Sequence, residues 1–334
     1  MNIAKKIEQV RSIHKASKRP LLLILDLMRI KRSDYLAECK GFDFELHAAS
    51  HEWYTLYENV IREDYFHKGV SLREGDTVID IGAHFGSFSA IASKKIGPTG
   101  KVIAFEPNPE IYPRLAHNIA INSLGNVVLH NEAVSGENGK LVLLLQQRSS
   151  LATVYSEVDG EDRVSQSTRV SVPARSMRSI LRSVGGPVDL LKIDCEGAEY
   201  DIFDSLDQES VSCVRQIAME VHKIPGRSEH EIVAKLSALG FTVRGESPMI
   251  TAFKAACERE ESEEYERKRR ELEEFAKREG AWYYDPESPV VWKRYIVGPV
   301  PLWRRLLWWC LPPSDFKMHR IFLKKYLRQD RRRR

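Results

Sequence analysis

Two short apolar runs, each closed by a carboxylate, constrain the fold of this chain more than any other feature. Residues 78–86 read VIDIGAHFG, a run that contains Asp80 and is followed by Gly82 and Gly86. Residues 102–107 read VIAFEP, so a second run ends at Glu106. The stretch between them has a helical pattern, and strands that alternate with helices are typical of a doubly wound parallel sheet. The sequence therefore predicts an α/β fold with a ligand site at the carboxyl ends of its strands.

The charges at this edge indicate which cofactor fits. A dinucleotide-binding loop reads G-x-G-x-x-G and holds a pyrophosphate on backbone N–H groups. Here no third glycine lies between Gly82 and Gly86, and Asp80 would repel a pyrophosphate. S-adenosylmethionine carries an ammonium and a sulfonium, so it suits a carboxylate better than a dinucleotide does. Glu106 follows Asp80 by 26 residues, near the offset of about 20 expected for a carboxylate that holds ribose hydroxyls. Alternatively, the glycines serve only close helix packing.

Acidic residues and a histidine follow two later strands. Residues 188–193 (VDLLKI) form a predicted buried strand that is followed by Asp194 and Glu196. The next predicted strand, QIAMEV, contains Glu220 and leads into His222. Residues two apart share one face of an extended chain, and neighbouring strands end at the same edge. We therefore predict that these four side chains line one cleft.

The chemistry of this group indicates a proton acceptor. His222 is a suitable base near neutral pH, and Asp194 is the alternative base or an orienting group. We predict His222, Asp194 and Glu196 as catalytic residues. We place Glu220 in the acceptor pocket, the part of the cleft that would bind the substrate receiving the methyl group. Glu196 and Glu199 could instead stabilise a helix N-terminus, and His222 could be a hydrogen-bonded edge residue. The group could also bind Mg²⁺. We do not favour that alternative and predict no metal ligands.

Residues beyond the predicted sheet divide the chain into further segments. The first 70 residues read as mostly helical and are a candidate cover for the acceptor site. Within them, Tyr54 and Tyr57 either line the acceptor pocket or belong to the core. The predicted segments are a helical N-terminal segment at 1–70, a catalytic domain at 71–256, a charged helix and linker at 257–290, and a basic Trp-rich tail at 291–334.

The charge of the chain is unevenly distributed. The net charge is +4, but residues 291–334 alone carry +11, so the other residues sum to −7. Four apolar side chains of this tail recur at the spacing of one helical face: Trp303, Leu306, Leu307 and Cys310. Such a basic, Trp-rich segment is typical of contact with an anionic membrane, here through residues 300–334, and a helix packed on its own domain is the alternative. No nucleic-acid module is legible, so nucleic acid is not a favoured partner.

Cysteine usage and hydropathy bear on the compartment. The five cysteines are scattered without metal-ligand spacing, which favours a reducing environment. The apolar run at residues 21–25 is too short to cross a bilayer and lacks a cleavage site. We therefore expect a cytoplasmic location. The alternative is a peripheral position at the inner face of the membrane.

Together these motifs resemble the FkbM-type family of S-adenosylmethionine-dependent methyltransferases. The matching stretches, within residues 51–254, are GDTVIDIGAHFGSF at 75–88, VIAFEPNP at 102–109, HNEAV at 130–134, LKIDCEGAE at 191–199 and MEVH at 219–222. The resemblance implies a seven-stranded Rossmann-like sheet whose last strand is antiparallel. It also implies O-methylation of a hydroxyl on a sugar, glycolipid or polyketide-like metabolite.

The resemblance further implies roles for individual residues. Asp80 and Gly82 would hold the methionine end of the cofactor, and Glu106 its ribose, while residues 131–133 would border the adenine. His84 stands where relatives often have Asn, which matters little if the loop works through its backbone. The predicted cofactor site comprises Asp80, Gly82, Ala83, His84, Gly86, Glu106, Asn131, Glu132 and Ala133. Two other classes stay open: a nicotinamide-dependent oxidoreductase on a similar sheet, and a non-catalytic membrane-associated binding protein.

Overall fold

The chain divides into two units, residues 1–258 and 259–334. In this computed structural model the described residues are 3–66, 69–146, 152–154, 167–246, 248–254, 282–283 and 293–294. In the second unit these residues form an antiparallel pair of two-residue strands, Trp282–Tyr283 and Lys293–Arg294. The predicted charged helix at 257–279 and the tail residues 295–334 lie outside the described residues.

The first unit contains eight α-helices and thirteen strands among its described residues. In chain order they are α1 (Ile3–Ala16), α2 (Pro20–Leu27), β1 (Tyr35–Cys39), β2 (Phe42–Leu46), α3 (Glu52–Leu56), β3 (Thr77–Ile81), α4 (Ser87–Ile96), β4 (Lys101–Phe105), α5 (Tyr112–Ile121), β5 (Val127–His130), β6 (Ala133–Ser135), β7 (Gly139–Gln146), β8 (Ala152–Val154), β9 (Ser167–Ser176), α6 (Met177–Val184), β10 (Val188–Ile193), α7 (Glu199–Asp204), β11 (Val214–Glu220), α8 (Glu229–Ala238), β12 (Phe241–Glu246) and β13 (Met249–Lys254). A π-helix (Tyr57–Arg62) and a 3₁₀ turn (Asp64–Phe66) follow α3.

A seven-stranded sheet forms the centre of this unit, in the order β12-β13-β11-β10-β3-β4-β5. All neighbours are parallel except β13, which is antiparallel to β11 and to β12. The predicted Rossmann-like sheet with an antiparallel last strand is therefore confirmed. The chain runs outward from β3 through β4 to β5, and later from β10 in the opposite direction. Such a reversal opens a crevice at the carboxyl ends of the strands, between β3 and β10.

The sheet is buried on both faces, which explains its unbroken apolar strands. Ile79 packs with Leu191 and Ile217 on one face, whereas Val78 packs with Leu190 on the other. All six residues of β10 are buried, including a lysine that reappears at the site below.

A four-stranded sheet, in the order β6-β9-β7-β8, lies after β5 along the chain. Its long strands β7 and β9 are antiparallel.

The N-terminal segment is less helical than the sequence indicated. Its helices α1, α2 and α3 are present, but β1 and β2 form an antiparallel hairpin. Lys40 and Gly41, both at positive φ, make the turn, and both strands alternate buried with more exposed residues. The segment packs on the sheet unit through Phe44, Leu56, Phe85 and Ile91, which share one core cluster.

Candidate active site

A cleft of about 650 Å³ opens at the carboxyl ends of β3, β4, β10 and β11. Eleven of the fifteen residues predicted for the site line it: Tyr54, Gly82, Ala83, His84, Glu106, Glu132, Ala133, Asp194, Glu196, Glu220 and His222. The cleft therefore joins the predicted cofactor loop to the predicted catalytic group.

The loop after β3 is held against both neighbouring strands. The backbone N–H groups of Gly82 and Ala83 donate to the carbonyl of Phe105, at 3.0 and 2.9 Å. On the other side, a Cβ at Gly82 would lie 1.7 Å from the carbonyl oxygen of Asp194. Gly82 also has φ +74, a left-handed value. Only glycine can adopt this backbone angle and also lie so close to the Asp194 carbonyl. Gly82 therefore lets the loop cross the sheet edge between β4 and β10.

Glu106 is nearly buried in the floor of the cleft. One carboxylate oxygen accepts a hydrogen bond from the backbone N–H of His84 and the other from that of Asn108, both at 2.8 Å. Burial raises the pKa of Glu106 to about 7, although these hydrogen bonds and Lys192 favour its charged form. Each oxygen keeps a second lone pair, so the carboxylate can still accept from ligand hydroxyls.

The four residues after β10 and at the end of β11 converge as predicted. His222 Nε2 lies 3.7 Å from Asp194 Oδ1 and 3.7 Å from Glu196 Oε2. Its Nδ1 lies 2.6 Å from Oε1 of Glu199, a fully buried side chain. Burial raises the pKa of Glu196 and of Glu220.

Acidic neighbours raise the pKa of His222. Burial alone would lower this pKa, but the hydrogen bond and charge of Glu199, with Glu196 and Asp194, raise it to about 9. The assignment of His222 as the base, with Asp194 as the alternative, stays a prediction.

The N-terminal segment supplies the opposite wall of the cleft. Tyr54 of α3 and Glu58 of the π-helix line it, and burial raises the pKa of Glu58 to about 7. The buried Asn59 donates to Ser87 at 2.9 Å and so joins this wall to the first turn of α4. Glu58 was not among the predicted site residues. The many aromatic and polar residues on either side of it in the sequence were the signal that could have indicated a site there. Short π-helices are frequent at functional sites.

Residues 80–243 match the family model described as the Methyltransferase FkbM domain. The chain carries an FkbM methyltransferase domain. Methyltransferase sdnD of Sordaria araneosa is 29% identical over 214 residues, covering 56% of this chain and 82% of that protein. The 31-O-demethyl-FK506 methyltransferase FkbM of Streptomyces tacrolimicus is 26% identical, covering 62% and 88%. Hexuronic acid methyltransferase AglP of Haloferax volcanii is 25% identical, covering 45% and 57%.

These matches decide the enzyme class of the FkbM methyltransferase domain. The prediction of an S-adenosylmethionine-dependent methyltransferase is confirmed, and the oxidoreductase alternative has no support. Across the residues that the structure describes, no helix has the length and apolar character that a membrane span requires.

Asp80 is paired inside the domain rather than exposed in the cleft. Asp80 is fully buried, accepts a hydrogen bond from Ser89 at 2.6 Å and lies 3.1 Å from Lys192 Nζ. Lys192 therefore balances the charge of this carboxylate, and its predicted role at the methionine end of the cofactor stays a prediction. A lysine within an otherwise apolar strand was the signal, since a buried charge needs a partner.

Three further predicted residues lie behind the cleft surface. A Cβ at Gly86 would meet Leu115 at 2.8 Å, so this glycine lets α4 and α5 pack closely. Tyr57 is buried in the core cluster of the N-terminal segment. Asn131 donates to the carbonyl of Glu106 at 2.8 Å and supports the cleft floor from below.

Proposed function

We propose that this FkbM methyltransferase moves a methyl group from S-adenosylmethionine to a hydroxyl oxygen of a sugar, glycolipid or polyketide-like metabolite. The observation that carries this proposal is the cleft itself, which joins Glu106 at the end of β4 to Asp194 and Glu196 after β10. A donor whose ribose meets Glu106 would extend its cationic end toward these carboxylates. Two relatives support an oxygenated acceptor, since one is named for a 31-O-demethyl-FK506 substrate and another for a hexuronic acid.

The residues on the donor side fit an adenosyl group. Glu106 would accept from ribose hydroxyls, while Gly82 and Ala83 would offer a flat backbone surface free of side-chain bulk. Glu132, fixed by Arg175 at 2.7 Å, and Ala133 would border the adenine. When bound, S-adenosylmethionine supplies a methyl group already activated by the positive sulfur.

The residues on the acceptor side would align and deprotonate the hydroxyl. As the new oxygen–carbon bond forms and the carbon–sulfur bond breaks, the hydroxyl proton would pass to the carboxylate of Asp194 or Glu196. Such proton transfer is worth about 10²–10⁴-fold in rate, and alignment supplies much of the remainder. His222, fixed by Glu199 at 2.6 Å, lies 3.7 Å from both carboxylates and would hold them in place.

A methyl-transfer assay tests the proposal. The full chain is incubated with S-adenosylmethionine labelled in its methyl group and a cell extract, which is then separated into lipids, polysaccharides and small metabolites. We expect label in one fraction, released by conditions that cleave methyl ethers but not by mild alkali that hydrolyses methyl esters, and at least tenfold less label with Asp194→Asn. Binding of adenosylhomocysteine without label in any fraction would favour the non-catalytic alternative.

A further inference from the structure

The acceptor side of the cleft contains a set of side chains suited to a divalent metal ion. Asp194, Glu220 and His222 each offer one ligand atom, and the three atoms lie within 4.8 Å of one another. An ion with ligand distances of about 2.1–2.4 Å can contact three atoms so spaced. We infer that these three residues bind one Mg²⁺ or Mn²⁺ ion that holds the acceptor hydroxyl, a role that rests on the proposed O-methyl transfer.

Oδ1 of Asp194 faces Nε2 of His222 across a gap. Oδ2 of Asp194 accepts a hydrogen bond from the hydroxyl of Tyr65 at 2.8 Å. Oδ1 is left 3.7 Å from Nε2 of His222, which is too long for a hydrogen bond. The gap suits two ligands of one ion, because ligands at right angles about 2.2 Å from a metal are about 3.1 Å apart and wider angles lengthen that distance.

His222 is oriented as a metal-binding histidine usually is. A ligating imidazole commonly gives its other ring N–H to a carboxylate, which fixes the tautomer and the ring plane. Here Glu199 lies 2.6 Å from Nδ1 and is fully buried, so Nε2 is turned toward the cleft. The second oxygen of Glu199 has no hydrogen-bond partner among the described residues. If His222 binds a metal ion, the buried Glu199 carboxylate would stabilise that ion through the imidazole.

The acidic side chains around these three residues also favour a metal cation. Glu58 and Glu196 line the cleft beside Asp194 and Glu220. Of the nearby cationic side chains, Arg62 pairs with Asp64 at 3.0 Å, and Lys192 lies 3.1 Å from Asp80 and 3.9 Å from Asp194. Oxygen-rich sites with one imidazole suit hard divalent ions, and Mn²⁺ accepts both ligand types.

A metal ion at this position would also activate the acceptor hydroxyl. Coordination of the acceptor hydroxyl would lower its pKa, so its proton could leave to the adjacent Glu196 carboxylate. The resulting oxygen would attack the methyl carbon, and the electron pair of the carbon–sulfur bond would return to sulfur.

Titration of the chelator-treated full chain with Mn²⁺ tests this inference, with free Mn²⁺ read by electron paramagnetic resonance and Mg²⁺ as competitor. We expect one Mn²⁺ per chain. Glu220→Gln should weaken binding at least tenfold by removing a ligand. Glu199→Gln, which keeps the hydrogen bond but removes the charge behind His222, should weaken it by about 10–100-fold. The matched control is Glu132→Gln, whose carboxylate lines the same cleft but pairs with Arg175, and it should bind as wild type does.

Adenosylhomocysteine affinity, measured on the same samples, separates this inference from the proposed function. If the wild type binds adenosylhomocysteine but no Mn²⁺ or Mg²⁺ at millimolar concentration, the metal site is overturned and the methyltransferase is not. Equal Mn²⁺ affinity for wild type and a folded Glu220→Gln would also overturn it. Loss of adenosylhomocysteine binding in the wild type would count against the donor site instead.

Discussion

Gly82 is the residue with the least freedom to change. A side chain there meets both a left-handed backbone and the carbonyl of Asp194 at 1.7 Å. Gly82→Ala should therefore lower the free energy of unfolding by clearly more than the roughly 1–2 kcal/mol of the backbone term alone. Gly185→Ala is the control, because Gly185 has φ +67 but no atom within 4 Å of an added Cβ. Urea unfolding compares the two, and equal losses would show that the close approach is relieved at no cost.

Glu106 should make donor binding depend on pH. Its pKa of about 7 lies above the ordinary 4.5, so the carboxylate form is lost as the pH falls through 7. Ribose hydroxyls donate more strongly to the charged form, so adenosylhomocysteine affinity should drop by about tenfold from pH 8 to pH 6. Calorimetry of Glu106→Gln should give weaker binding with a flat profile over this range. A wild-type slope that persists in the variant would assign the titration to another group.

At the residue scale, the sequence predicted which side chains lie close together better than it predicted what each side chain does. Asp194 and His222 could be placed together because parallel neighbouring strands end at one edge. The pairing of Asp80 with Lys192 depends on which buried charges face each other across two strands, and spacing along the chain does not contain that information. The charge of His222 likewise depends on Glu199, a residue on another element.

At the scale of elements, strands were predictable where burial on both faces makes them continuously apolar. The strand predicted at 188–193 coincides with β10 in both bounds. The β1–β2 hairpin was missed because its strands are only five residues long, include the acidic residues Glu38, Asp43 and Glu45, and lie within a stretch of helical composition. Its turn uses Lys40 before Gly41, a weaker signal than Asn or Asp would be.

The hairpin is attached to α5 by two asparagines, whose contributions should differ. Asn118 is fully buried and bonds to the backbone N–H of Glu45, at 2.8 Å, and to the carbonyls of Glu45 and Phe85. Asn118→Leu should lower the free energy of unfolding by about 3 kcal/mol, because it leaves these buried backbone groups without hydrogen bonds and out of reach of water. Asn122→Leu removes a similar pair of bonds to Asp43 at the exposed end, where water replaces them, and should cost less than about 1 kcal/mol. Denaturant midpoints measure both, and a reversed order would refute the argument from burial.

At the scale of the whole molecule, the basic tail is expected to act apart from catalysis. Deletion of residues 300–334 should reduce co-sedimentation with vesicles that contain anionic lipid, because it removes eleven Lys and Arg side chains together with the Trp-rich face. Methyl transfer to a water-soluble acceptor should be unchanged. Neutral vesicles are the control, and undiminished binding of the truncated chain to anionic vesicles would reject this role for the tail.

The two walls of the cleft come from different stretches of chain. The family match begins at Asp80, so Tyr54 and Glu58 are contributed by residues that precede it. Under the proposed function, selection can act on the two walls separately: substitutions before the matched stretch would change which alcohol is accepted, while the proposed adenosyl-binding edge would stay unchanged. Grafting residues 51–66 between homologous enzymes is then a direct route to altered acceptor preference.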